Sequence, residues 1–196
     1  MLFNDIKNNV RVIKDNIIVF LENKRINIIN EEDKWKIDYK FEKEDKYKIK
    51  IIFKKKIDDL SWFFNGCSSL YSIDFSNFNT SHIINMEGFF NECNKLKEIK
   101  GINKYNLMNI TKMSGMFQGC NELEFLDLTN INTSNVKNME KMFNDCHKLK
   151  EIKGINKFIT KKVTNMNAMF QECNEIESLD LSNFDTSNVT DIGMDV

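Results

Sequence analysis

The chain has 196 residues, 28 basic and 29 acidic side chains, and a formal net charge of -1. That balance supplies no bulk field to draw polyanions, and the length suits one domain or a domain with a cap. No apolar run approaches the roughly 18 residues of a membrane helix, and the start, M-L-F-N-D-I-K-N-N-V-R-V-I-K, scatters charge where a secretory signal is apolar.

Residues 1–47 form an N-terminal region without internal repetition. Within it Asn16–Leu21, Arg25–Ile29 and Lys34–Phe41 read as strands, the last alternating charged and apolar residues, with E-N-K and N-E-E-D as turns. The expected product is a small antiparallel β cap over the exposed end of the second region, residues 48–196. Lys46–Phe53 (K-Y-K-I-K-I-I-F) reads as the first strand of that second region.

The second region repeats. Cysteine stands at 67, 93, 120, 146 and 173, at intervals of 26, 27, 26 and 27. Phe64, Phe90, Phe117, Phe143 and Phe170 keep step three residues earlier. Leu60, Met86, Met113, Met139 and Met166 do so seven residues earlier, and one more period lands on Ile192. Ile73, Ile99, Leu126, Ile152 and Leu179 come six residues after the cysteines. A period in the twenties locked to apolar residues is a solenoid signature of the leucine-rich-repeat kind. In the central repeat Met113, Met116, Phe117 and Cys120 fall at i, i+3, i+4 and i+7, which predicts a short helix. Phe125–Leu128 alternates as a half-buried strand.

The predicted fold is therefore an α/β repeat. It is a leucine-rich-repeat-like curved solenoid of about five coils of 26 or 27 residues, the last incomplete, with the β cap in front. Parallel strands line its concave side and short helices its convex side, because strands stack at about 4.8 Å and helices at roughly 8–10 Å. Two repeat types alternate: D-F-S-N or D-L-T/S-N comes after the strand in one, and K-G-I-N-K in the other. Gly101 and Gly154 mark the extra residue of the longer type and predict a bulge. Asn77, Asn103, Asn130, Asn156 and Asn183, ten residues after the cysteines, predict buried amides tying neighbouring coils.

The phrases N-F-D-T-S-N-V-T-D-I (183–192), T-S-N-V-K-N-M-E-K-M-F-N-D-C (133–146) and M-S-G-M-F-Q-G-C-N-E-L (113–123) resemble the BspA-type leucine-rich repeat. The resemblance covers about residues 60–192. It implies a solenoid, a microbial surface location, a role in adhesion or in binding host or matrix proteins, and no catalytic residues. The residues themselves, without a recognisable export signal, suggest a cytoplasmic protein.

No catalytic, metal or cofactor set emerges. His82 and His147 lie in different phases of the repeat, and no C-x-x-C occurs. The five cysteines, once per repeat, read as reduced, buried fillers, so the neighbouring Cys146 and His147 are no nucleophile pair. The short lysine runs 54–56 and 161–162 carry no nucleic-acid signature. The informative surface is the strand face, where Ser72, Asp74, Glu98, Lys100, Phe125, Asp127, Glu151, Lys153, Ser178 and Asp180 are expected to point outward. Asp74, Lys100, Asp127, Lys153 and Asp180 make a column of alternating sign, and Phe125 stands between glutamates as a candidate hot spot. The expected function is non-enzymatic recognition of a protein partner on this concave face. The alternative is a structural protein stacking end to end through the open edge of its last coil, at Ser178–Leu181.

Overall fold

Two left-handed residues in a row, Glu22 (φ 46°) and Asn23 (φ 72°), close the tight hairpin that starts the fold. The computed structural model describes residues 17–31, 34–38, 48–104 and 107–191. Strands β1 (Ile17–Leu21), β2 (Lys24–Glu31), β3 (Lys34–Asp38) and β4 (Ile49–Phe53) form one antiparallel sheet in the order β3-β2-β1-β4. The expected strand residues 16 and 39–41, with 46–47, lie outside the described residues. β4 differs from expectation: it pairs Val19 with Ile51 on β1 and so completes the N-terminal sheet instead of starting the repeats.

The burial of β4 alternates, with Ile49, Ile51 and Phe53 turned inward beside the buried Val19 and Leu21 of β1. Phe53 meets Phe63 and Phe78, with ring centroids 5.5 and 5.1 Å apart. The sheet thus lies against the first repeat and shares its core.

Each of the first four repeats then contributes one three-residue strand: β5 (Ser72–Asp74), β6 (Glu98–Lys100), β7 (Phe125–Asp127) and β8 (Glu151–Lys153). They pair in parallel as β5-β6 and β7-β8, two small sheets rather than one continuous ladder. A second column of parallel bridges runs Asp59, Asn85, Lys112, Asn138, Asn165 and Asp191, one residue per repeat.

The expected helices are absent, and the curved, helix-covered solenoid is overturned with them. Among the described residues the only helical pieces are two 3-10 turns, Ile102–Lys104 and Ile155–Lys157, and most of each repeat is turn and irregular chain. The cause is a left-handed residue at two fixed places. Five residues before each cysteine φ is positive at Trp62, Gly88, Gly115, Lys141 and Ala168. One residue before, it is positive at Gly66, Glu92, Gly119, Asp145 and Glu172. A right-handed helix cannot pass through such residues.

Each instead sits third in a four-residue turn, as in Met116 N to Met113 O (3.2 Å) and Cys120 N to Phe117 O (3.1 Å), the type II pattern. The alternate amides point to the next repeat: Gly115 N to Glu140 O (2.8 Å), Phe117 N to Met142 O (3.0 Å) and Gly119 N to Asn144 O (2.8 Å). A helix keeps these bonds to itself, whereas here half of them stitch the repeats together. The turn side of the stack therefore advances by hydrogen-bond spacing, and the wide helix spacing that curvature required is missing.

Inside, the phenylalanines stack face to face: Phe64–Phe90, Phe90–Phe117, Phe117–Phe143 and Phe143–Phe170 lie 5.7, 5.9, 5.7 and 5.5 Å apart. Beside them the thiols of Cys93, Cys120, Cys146 and Cys173 each donate to the phenylalanine carbonyl of the preceding repeat, at 3.0–3.4 Å. The cysteines are free, as expected, and burial pushes those four thiols up, Cys173 to about 12.

Gly154 makes no bulge. It is left-handed (φ 85°) just after β8 and opens the 3-10 turn that takes up the extra residue, and a Cβ there would lie 2.4 Å from the Thr129 Cα.

Candidate functional site

The repeat alternation sets the strand face. In β7 and β8 Leu126 and Ile152 are buried, so Phe125 and Asp127, and Glu151 and Lys153, turn the other way. β5 and β6 do the same with Ser72 and Asp74, and Glu98 and Lys100, about the half-buried Ile73 and Ile99. Register places Ser72 opposite Glu98, Asp74 opposite Lys100, Phe125 opposite Glu151 and Asp127 opposite Lys153. Ser178 and Asp180 share the phase and are exposed, but residues 178–181 form no strand; just before them Glu177 N donates to Lys150 O (3.3 Å) of the preceding repeat.

Of the column of alternating sign, register holds Asp74 opposite Lys100 and Asp127 opposite Lys153, yet its aspartates serve a different purpose. Asp74 Oδ1 accepts from Ser76 N (2.8 Å), and Asp180 Oδ1 from Ser182 N (3.1 Å) and Oγ (2.7 Å). Asp127 Oδ1 accepts from Thr129 N (3.0 Å) and Oγ1 (2.6 Å), while its Oδ2 accepts from Asn103 Nδ2 (2.8 Å). These are Asx turns that end each strand. The serine bonds hold Asp74 and Asp180 below the usual carboxylate range. Partial burial raises Asp127, and the bonds from Thr129 and Asn103 outweigh it, leaving that carboxyl low. Lys100 turns to Glu98 on its own strand (3.4 Å).

Ion pairing between repeats occurs two and four residues after the cysteines, a pattern the sequence reading missed. Glu122 meets Lys97 (3.3 Å) and Lys148 (2.7 Å), and Lys150 meets Glu124 (2.8 Å) and Glu175 (3.9 Å). The hydrogen bonds from Lys148 and Lys150 lower the carboxyls of Glu122 and Glu124 and raise both ammonium groups in return. The signal was visible, because glutamate and lysine alternate there repeat by repeat.

The asparagines ten residues after the cysteines are not the buried amides expected: Asn77, Asn130, Asn156 and Asn183 are exposed and Asn103 is half-buried, and their bonds between repeats run along the surface. Asn130 and Asn183 are exposed and donate to the carbonyls of Asn103 and Asn156 at 2.7 Å each.

Phe125 is the salient feature of the face, 60% exposed. It makes no ring or cation–π contact among the described residues. Tyr71, by contrast, is covered by Lys97, 5.9 Å from its ring centroid.

Elsewhere an open depression of about 440 Å³ is lined by Glu87, Thr111, Lys112, Ser114, Lys137 and Asn138, on the side of the bridge column. The Cys146 thiol and the His147 ring take separate partners, Phe117 O (3.1 Å) and Glu172 O (3.0 Å). No group of three metal-binding side chains occurs among the described residues, and no helix there is long and apolar enough to cross a membrane.

No curated protein and no solved structure matches the chain. Residues 58–154 and 121–194, which hold the repeats, match a family described as Mycoplasma protein of unknown function, DUF285. The chain belongs to that family.

Proposed function

We propose that this chain is a non-enzymatic protein-binding module that takes its partner on the strand face around Phe125. The observation that carries the reading is Phe125 itself: a large aromatic, 60% exposed, mid-stack, at a position that is serine or glutamate in every other repeat. Such a ring, held rigidly on a strand and framed by polar residues, has the character of an interface hot spot. The resemblance to the BspA-type repeat supports the same reading and adds a cell-surface, adhesin-like role.

The test is affinity capture by the wild-type chain, Phe125→Ser and Lys137→Ala, the last on the other face. A partner held by wild type and Lys137→Ala but released by Phe125→Ser supports the face; equal capture by all three overturns it. Protease treatment of intact source cells tests the surface role, which cleavage supports and full protection contradicts.

A second reading is self-association through the last repeat. Phe170, Leu179, Leu181, Phe184 and Val189 are only half-buried there, whereas Phe117, Leu126, Leu128, Ile131 and Val136 at the same phases of the central repeats are buried. The N-terminal sheet covers the first repeat, so two copies would meet tail to tail. A light-scattering mass that stays monomeric at high concentration contradicts it.

A further inference from the structure

The row that contains Phe125 runs Ser72, Glu98, Phe125, Glu151 and Ser178, and it carries carboxylates but no cation. Glu151 lies directly opposite Phe125 in the β7–β8 register and makes no ion pair among the described residues. Glu98 stands on the neighbouring strand β6, where Lys100 meets it at 3.4 Å. The chain's treatment of another exposed aromatic is informative, since Tyr71 has Lys97 over its ring. Phe125 has an aromatic face and acidic flanks but no such cation. An aromatic face with carboxylates at its edges favours a cation over its centre, where the ring quadrupole and the charges add.

Resting on the proposed use of this face, we propose that Phe125 with Glu98 and Glu151 receives a basic side chain of the partner, an arginine in preference to a lysine. Arginine fits better for a geometric reason. Its planar guanidinium stacks on the ring while its edge reaches a carboxylate through two parallel N–H bonds, which a point-charge ammonium cannot do. The partner segment therefore presents an arginine over β7. The neighbouring row, Asp74, Lys100, Asp127, Lys153 and Asp180, alternates in sign, three acidic residues to two basic, and so adds little net charge of its own.

The experiment is a nuclear magnetic resonance titration of the whole chain with four capped peptides of three repeats each: Gly-Ser-Arg, Gly-Ser-Lys, Gly-Ser-Leu and Gly-Ser-Glu. The expected result is saturable movement of the Phe125 ring and Glu151 side-chain resonances with the arginine peptide, weaker with lysine and absent with glutamate. Phe125→Leu, which keeps an apolar side chain on an exposed position, should weaken arginine binding about tenfold, and Glu151→Gln should weaken it and flatten its salt dependence.

Undiminished binding to Phe125→Leu overturns the proposal, because the attraction is then charge alone. Movement of Phe125 with the leucine peptide but not the arginine peptide overturns the cation and leaves the face standing. If no peptide moves Phe125, the cation assignment fails. Failure of the face itself shows separately, as equal capture of a partner by wild type and Phe125→Ser.

Discussion

Replacing Gly115 by alanine separates a helix from a string of turns by the sign of the effect. Gly115 has φ of +57°, and an added Cβ would meet nothing nearer than Gln118 Oε1 at 3.3 Å, so crowding contributes little. Holding alanine in the left-handed region costs about 1–2 kcal/mol. Stiffening of the unfolded chain returns about 0.4–1 kcal/mol. The net is a loss of about 1 kcal/mol, which lowers Tm by about 2–4 °C in a protein of this size. Were Met113–Cys120 a helix, the same change would stabilise by about 1 kcal/mol.

Lys141 occupies the equivalent place in the next repeat with φ of +54°, so Lys141→Gly should move Tm the other way, by about half as much. Scanning calorimetry on the two variants and wild type reads both signs. A higher Tm for Gly115→Ala together with a lower one for Lys141→Gly would refute the turn account.

The core, the thiols and the strand ends carry further expectations. Phe117 is fully buried between Phe90 and Phe143, so Phe117→Ala should cost about 3–5 kcal/mol by urea unfolding, while Phe125→Ala leaves the midpoint nearly unchanged. Equal effects would contradict the inward and outward assignment. Cys173 is raised in the folded chain from 9.0 to about 12, so its neutral form stabilises fully below pH about 9 and that contribution is lost as pH climbs toward 12. The fall in urea midpoint between pH 8 and 10.5 should be smaller in Cys173→Ala, and an identical fall would contradict the burial of that thiol. Asp127→Ala removes the Asx turn after β7 and should cost about 1–2 kcal/mol, whereas Asp127→Asn keeps the acceptor and costs less. Equal losses in chemical denaturation would mean that charge, not the turn, holds the strand end.

The repeat, its phase and the inward residues were legible because apolar side chains recur on a fixed count from each cysteine. The strands appear where that count put them, around Ile73, Ile99, Leu126 and Ile152. The helix was misread because i, i+3, i+4 and i+7 is also two interleaved pairs four residues apart, Met113 with Phe117 and Met116 with Cys120. Eight residues cannot separate a 3.6-residue period from a four-residue turn. The distinguishing signal was Gly115 and Gly119, also four apart, since a helix does not welcome two glycines in five residues.

The strand face was legible from alternation. The role of its aspartates was not, although Asp74-Phe75-Ser76, Asp127-Leu128-Thr129 and Asp180-Leu181-Ser182 spell a turn-capping pattern. The charge column drew the eye to partners across the strands, while the nearer partner two residues on won. The placement of β4 was illegible for a different reason. An alternating strand of five residues carries no mark of whether its neighbour is antiparallel β1 or the first parallel repeat.

The central functional claim, that a protein partner sits on Phe125, is tested most directly by placing a benzophenone photo-crosslinker at position 125 and, separately, at position 137, in the source cells. The account predicts one discrete protein adduct from position 125, lost on competition with unlabelled chain, and none from position 137. No adduct at 125, or the same adduct from both positions, would contradict it.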